Sequence, residues 1–565
     1  MRYLWSMRSE KDGHGAGFLE DLYSGAEGPG PLPTPPRVDR KKVADFVSCL
    51  NQATSGFDPA AVEARHAIPP ELLERLKGTG VFGLMIPREY GGLGFSLSEY
   101  LMTIEALSGI DLSIALIPLA HTSIGIKGIL LFGTEDQKKR YLPRAATGEM
   151  IFGYALTEPE TGSDAQHIRT SARRGDDGHG YLLDGTKTFI TNANYAGAFT
   201  VFAQMDPREP GFMGAFIVDR GWDGVSVGPD MPKMGLAASS TAAVMLRGVK
   251  VPGENLIGKP GEGFKIAMTI LNYGRLGLGA GSAGGMARSL EDMSRRASSR
   301  KQFGAAIGDF DLVKEKLVHA RVHGFAASSM TYLTAAMLER DPLANVAIES
   351  SHCKLYGTTR CWDTLYDAQQ VAGGSGYLST QPYEKRLRDF RVTTIFEGTT
   401  EIHSMYPALT ALRAAAKAIK GLAPVGKLLY LRRLARPRLG AMARERVPEL
   451  RSALQAAGTG EKMFRRLLVS GMRRYGAKIV EHELYLRRMT ELSLCSFWLL
   501  ATVWFLKARH EDGSYPREDL LSLGWLVEEA REAQERDGGM GTRASDLREG
   551  LVRKITSQEQ ATPRQ

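Results

Sequence analysis

Cysteine is scarce in this chain. Four residues, Cys49, Cys353, Cys361 and Cys495, are scattered through 565 positions without a CxxC pair or a cysteine–histidine spacing of the zinc type. That excludes a disulfide frame and a cysteine-based metal site, and it fits buried thiols in a reducing compartment. Long apolar runs are also few. The most apolar stretch of the last third, Leu492 to Leu506, has 15 residues, short of the roughly 17–25 that span a bilayer, so it predicts a buried helix. No Walker A, HExxH or GxSxG motif occurs, which removes the chemistries those motifs carry. The amino terminus has Arg2 and Arg8 but no apolar run of signal-peptide length. Glu10, Asp12, Glu20 and Asp21 speak against a mitochondrial transit peptide. A cytoplasmic protein is the expectation.

What the chain does have is length, a normal globular composition (43% hydrophobic, 24% charged) and a net charge of +9. The length calls for several domains. Residues 1–40 are rich in glycine and proline and predict a loose arm. Helical spacing runs over 41–150, with a helix stop at Gly133 and a new cap at Thr134. Between 151 and 265 the texture changes to short strands, with candidates at Phe199–Ala203, Ala215–Val218 and Ala242–Val249 and an Asp184–Gly185 hairpin signal. Helical patterning resumes over 266–410 and continues as an extension over 411–565. In that extension Phe464, Leu468, Met472, Tyr475 and Ile479 form an apolar stripe flanked by arginines. The fold class is α+β multidomain. Gly279, Gly281 and Gly284 fit GxGxxG, but no strand precedes them, and close helix packing explains them better than a dinucleotide loop.

Charge is uneven. From 411 to 450, Arg413, Lys417, Lys420, Lys427, Arg432, Arg433, Arg436, Arg438, Arg444 and Arg446 face only Glu445 and Glu449. Interspersed leucines suit a lipid interface, and the alternative is a solvated helical face. The expectation is no nucleic-acid partner and a peripheral position at the inner face of the membrane through 411–450.

Two blocks point to chemistry. Glu397 is a lone carboxylate behind an apolar lead-in, Thr394-Ile395-Phe396, and is followed at once by Gly398. Burial raises the pKa of such a group and suits a general base near neutrality. The Gly-rich run Gln370-Val371-Ala372-Gly373-Gly374 offers unblocked backbone N–H groups. Tyr154-Ala155-Leu156-Thr157-Glu158-Pro159-Glu160-Thr161-Gly162-Ser163-Asp164 reads as a strand ending in a polar turn.

Together these blocks closely resemble the acyl-CoA dehydrogenases, over about 60–410. The resemblance implies a helical domain, a β-barrel-like middle domain and a four-helix-bundle domain. It implies FAD and Glu397 as the α-proton base, with a hydride passing to the flavin and a trans-2-enoyl-CoA as product. Tyr154, Leu156, Thr157, Ser163, Phe189 and Thr191 are then flavin contacts. Arg300, Phe303, Gln370 and Gly374 reach the cofactor of a second subunit, so a homodimer follows, and Thr399 and Glu401 contact it after the catalytic turn. Ser163, Asn272, Arg275 and Gly398 bind substrate. Many relatives have Trp at the Phe189 position and Asp at that of Asn272. Some branches place the base where this chain has Gly274, which strengthens Glu397. The extension resembles the very-long-chain branch, and Leu116 and Ala120 leave the acyl cavity apolar and deep. The implied acceptor is an electron-transferring flavoprotein. An acyl-CoA oxidase and a non-enzymatic assembly scaffold on the same fold remain open.

Overall fold

The computed structural model describes residues 17–25, 29–175, 178–436, 438–439, 445–510 and 513–536. Arg444 of the basic stretch and the acidic residues Glu10 and Asp12 lie outside them.

The described residues begin with α1 (Phe18–Ser24), α2 (Arg40–Ala53), α3 (Pro59–Arg65), α4 (Pro70–Thr79), α5 (Leu97–Ile110) and α6 (Leu112–Leu119). A π-helical turn over Ala120–Gly125 leads into α7 (Lys127–Phe132) and α8 (Glu135–Ala146). Helix α8 starts where the sequence predicts. Thr134 accepts from the Gln137 N–H and the Gln137 side chain accepts from the Thr134 N–H, a reciprocal cap that satisfies two orphan donors.

Strands β1 (Ile151–Ala155), β2 (Ser171–Arg174), β3 (Gly180–Thr191), β4 (Ala196–Gln204), β5 (Met213–Asp219), β6 (Val225–Val227), β7 (Thr241–Pro252) and β8 (Leu256–Ile257) follow. They form one mixed sheet in the order β6-β7-β3-β2-β4-β5-β8, with β1 parallel to β4. The order has two ends, so the sheet is not a closed barrel. One face nonetheless packs on itself, burying Leu183, Phe199, Val201, Phe216 and Val244 in a core made of its own residues. Ala198 and Phe202, on the opposite phase of β4, join a second core with α7 and α8. The Asp184–Gly185 hairpin expectation is corrected. Strand β3 runs straight through both residues. Gly185 marks a register shift against β7, and a methyl there would lie 2.4 Å from the Thr170 hydroxyl.

A long helix, α9 (Gly263–Ser299), then runs through the molecule, followed by a small ribbon of β9 (Lys301–Gln302) and β10 (Ala305–Ala306). Helices α10 (Asp311–Arg340), α11 (Ala347–Ala372), α12 (Pro382–Arg391) and α13 (Thr400–Ile419) complete the bundle. The glycines of α9 serve packing. A methyl at Gly284 would lie 1.9 Å from the Glu105 carbonyl oxygen of α5, so only glycine lets the two backbones cross there.

The extension is α14 (Pro424–Leu434), α15 (Pro448–Tyr475), α16 (Glu483–Arg509) and α17 (Arg517–Glu535). Helix α16 contains the apolar stretch and is 27 residues long, with 83% of its most apolar window buried. It is the core helix of this domain. Arg465, one of the arginines beside the apolar stripe, does not face solvent. It is fully buried and donates to the main-chain carbonyls of Leu22, Leu434 and Arg433. Residues 18–24 are no loose arm either. Leu19, Leu22 and Tyr23 are wholly buried, because a turn of helix with three apolar side chains found a groove between bundle and extension.

Candidate active site

A cavity of about 700 Å³ opens where the sheet, α9 and the turn before α13 meet. The structure brings nine of the predicted site residues to its walls: Tyr154, Thr157, Ser163, Phe189, Thr191, Arg275, Glu397, Gly398 and Thr399. Leu116, Leu119, Ala120 and Ile124, from α6 and the π turn, supply an apolar wall.

Glu397 sits at φ 54°, in the left-handed region that costs a non-glycine residue roughly 1–2 kcal/mol. Phe189 (φ 56°), Leu236 (φ 58°) and Asn192 (φ 65°) share that conformation beside it, and such strain gathers at functional sites. One Glu397 carboxylate oxygen is enclosed and has no hydrogen-bond partner among the described residues. Burial pushes its pKa up to about 7, against the pull of Arg275 and Lys354. A methyl at Gly274 would lie 2.6 and 2.7 Å from the two carboxylate oxygens. Glycine at 274 is what gives the carboxylate its space.

The turn is held from behind by residues that the sequence did not single out. His403 Nε2 lies 3.0 Å from the Glu397 carbonyl oxygen, and its Nδ1 lies 2.7 Å from Ser351 Oγ. A carbonyl only accepts, so Nε2 carries the proton and Ser351 donates to Nδ1. Buried Lys354 donates to the Gly398 carbonyl. Gly398 is at φ 100°, and a methyl there would meet His403 Nε2 at 2.6 Å. Lys354 stands in α11 where residues 348–358 are buried without a break.

The opposite wall rests on a second buried pair. Lys187 Nζ donates to Glu158 Oε1 (2.7 Å) and to the Leu156 carbonyl (3.1 Å), with side chains 0% and 3% exposed. Glu158 also accepts from the Arg169 and Thr170 N–H groups. Burial pulls its pKa up, and these donors outweigh that and hold the carboxylate below its usual range. The loop carrying Thr157 and Ser163 is thus pinned at its root. Lys187 shares the inward phase of Tyr181 and Leu183 on β3, the one hint in the sequence.

Other predicted residues do not line the cavity. Leu156 is buried, and its carbonyl serves Lys187. Asn272 stands behind Arg275: its Oδ1 accepts from Arg275 (3.2 Å) and from Ser350 (2.8 Å). Glu401 is exposed in the first turn of α13. Arg300, Phe303, Gln370 and Gly374 are all exposed, Phe303 by 96%. Arg296 donates to the Ala372 carbonyl (3.4 Å), tying the end of α9 to the 373–377 turn, so these four residues occupy one end of the bundle.

A strand-built wall with hydroxyls, an enclosed carboxylate opposite, and helical domains before and after one sheet along the chain define the class. Three family descriptions match in series: "Acyl-CoA dehydrogenase, N-terminal domain" over 48–149, "middle domain" over 153–249 and "C-terminal domain" over 261–408. The human very long-chain specific acyl-CoA dehydrogenase, mitochondrial, is 34% identical over 90% of this chain and 82% of its own length. An acyl-CoA dehydrogenase of Bacillus subtilis (strain 168) is 36% identical over 65% of this chain and 95% of its own. The crystal structure of an acyl-CoA dehydrogenase complexed with FAD from Bacillus anthracis superposes with a TM-score of 0.80 at 28% identity, covering 98% of this chain and 96% of that one. The chain belongs to the acyl-CoA dehydrogenase family. It is an oxidoreductase acting on CH–CH bonds, and its extension has counterparts in the longer relatives.

Proposed function

We propose that this enzyme dehydrogenates long-chain fatty acyl-CoA between Cα and Cβ, with Glu397 as the base, in fatty acid β-oxidation. The observation that carries the reading is the enclosed Glu397 carboxylate facing an apolar-walled cavity, with a pKa near neutrality. A carboxylate of that pKa is ionised enough to accept a proton at neutral pH and basic enough to hold it. Main-chain N–H groups of the 397–399 turn are suited to polarising the thioester carbonyl as the α-proton leaves. Arg275, lining the cavity and oriented by Asn272, offers a cation toward the CoA portion. Leu116 and Ala120 present no polar group to an acyl tail, which supports a long chain.

The wall fits FAD. Phe189, 65% exposed on the cavity in a strained conformation, offers an aromatic face, and Thr157, Ser163 and Thr191 offer hydroxyls. When bound, FAD supplies the acceptor for the β-hydrogen and its electron pair. A homodimer belongs to the same reading, because Arg300, Phe303, Gln370 and Gly374 are exposed and do not line this cavity. Reoxidation by an electron-transferring flavoprotein follows for electrons held away from oxygen.

The extension supports a lipid-facing role in a cytoplasmic protein at the inner face of the membrane. Helix α14 exposes Val425 (69%), Leu428 (44%) and Leu429 (59%) on one side, with Lys427, Arg432 and Arg433 beside them. Apolar residues at i, i+3 and i+4 beside basic ones suit an anionic interface.

The test is anaerobic addition of butyryl-, octanoyl- and palmitoyl-CoA to the FAD-loaded protein, followed by air. Loss of the flavin's visible absorbance, strongest with palmitoyl-CoA and slow to return in air, is expected. No bleaching with any chain length overturns the reading.

A further inference from the structure

We propose that Lys354, together with the Ser351–His403 pair, positions the catalytic turn and sets the working pH of Glu397. The proposal rests on Glu397 being the base.

The geometry singles out two successive peptide planes. His403 takes the carbonyl of the 397–398 peptide and Lys354 takes that of the 398–399 peptide. A trans peptide points its N–H opposite its C=O. Pinning both carbonyls toward α11 and α13 therefore turns the Gly398 and Thr399 N–H groups the other way. Glu397 at φ 54° would relax toward an ordinary conformation without such restraint. Three features make the clamp specific. Gly398 has no side chain, so His403 fits beneath it. Ser351, buried on α11, fixes the imidazole tautomer. Lys354 has no carboxylate salt-bridge partner within 4.0 Å among the described residues; its hydrogen bond is to a neutral carbonyl. A lysine is not needed to satisfy one carbonyl, so its charge has another use.

That use is electrostatic. The groups facing Glu397 are Arg275 from α9, Lys354 from α11, Tyr100 from α5 and Tyr154 from β1, with His403 on its own side; Glu401 faces Lys354. Burial keeps His403 neutral, with its pKa well below the usual value. Glu401 is exposed and screened. The positive charges near the carboxylate are then Arg275, which lines the substrate cavity, and Lys354, which does not. Lys354 is the one whose charge is free of substrate. An opposite charge close to a buried carboxylate lowers its pKa by about 1–3 units. While protonated, Lys354 draws the base toward its ionised form; burial pulls the pKa of Lys354 itself down to about 7, against the opposing pull of Glu397, so the two groups titrate as a pair.

The experiment uses FAD-loaded wild type and the variants Lys354→Met, Lys354→Arg, His403→Leu, His403→Gln and Glu397→Gln, scored by flavin content, kcat, KM and the pH profile of kcat/KM with palmitoyl-CoA. Lys354→Met is expected to move the acid limb up by about one pH unit or more. Its kcat/KM should fall about fivefold or more at neutral pH and recover at alkaline pH, with KM little changed. Lys354→Arg keeps the charge and the limb. His403→Leu should lower kcat without moving the limb, and His403→Gln, which still donates to the carbonyl, should restore most of it. An unmoved limb in Lys354→Met with kcat/KM within about twofold of wild type overturns the proposal. If Lys354→Met loses its flavin, the His403 pair decides the clamp: equal kcat in Leu and Gln variants overturns it. Failure of the underlying reading looks different, because Glu397→Gln would then keep its turnover.

Discussion

Glu397 and Gly274 occupy one volume between them. The carboxylate lies where any side chain at 274 would stand, so the pair behaves as a unit. Replacing Glu397 by Gln keeps the shape and removes the proton acceptor proposed for the reaction. Turnover should fall by about 10²–10⁴-fold, with flavin content and palmitoyl-CoA binding retained, as read by stopped-flow bleaching and by titration. Wild-type kcat/KM should rise with pH through about 7 and level off above, because the base works ionised and burial holds its pKa there. Gly274→Ala should cost activity while leaving flavin content unchanged, a split that steady-state kinetics and absorbance read together. At this scale the burial of Glu397 was legible from its apolar lead-in, while the role proposed for it came from the resemblance of the two blocks to the family. Lys354 and His403 were not legible, since what they do depends on which carbonyls a neighbouring helix brings within reach, and no spacing along the chain encodes that. Asn272 was read as a substrate contact from the resemblance of 271–275 to the family's CoA-binding helix, and the structure puts it behind Arg275 instead.

Among the elements, β3 and the loop after β1 are joined by Lys187 and Glu158, a charge pair without solvent. Removing one partner of such a pair strands the other and typically costs about 3–5 kcal/mol. Lys187→Met should lower the denaturation midpoint accordingly and loosen flavin retention, because the carbonyl of Leu156 and the loop carrying Thr157 and Ser163 lose their anchor. Urea unfolding followed by flavin fluorescence measures both. Element types were readable wherever periodicity was strong: the α8 cap, β4, β5, β7 and the unbroken helix through Gly279–Gly284. Asp184–Gly185 misled because a hairpin and a bulge ask the same thing of glycine, a conformation other residues resist, and only the partner strand distinguishes them. The six-residue π turn in the cavity wall left no periodic trace.

For the whole molecule, the extension changes what the catalytic body can meet. Anionic vesicles should sediment the protein at low salt, and neutralising Lys427, Arg432 and Arg433 should weaken that by about 1 kcal/mol per charge. Changing Val425, Leu428 and Leu429 to serine should remove the part that salt does not screen. Soluble turnover should survive both sets. Mixed dimers of Arg300→Ala and Glu397→Gln chains should regain activity that neither homodimer has, if each cofactor draws on two chains. The extension also has a dependence on time. Helix α1 is held by Arg465 through the Leu22 carbonyl, 443 positions later in the chain, and by Arg438 through that of Asp21, at 2.8 Å. At about 5–20 residues per second, the ribosome delivers Arg465 roughly 20–90 s after Leu22. For that interval Leu19, Leu22 and Tyr23 are synthesised apolar surface without their final groove. The first helix of the described residues is among the last elements to be seated, and nascent chains halted before α15 should be the ones that chaperones retain.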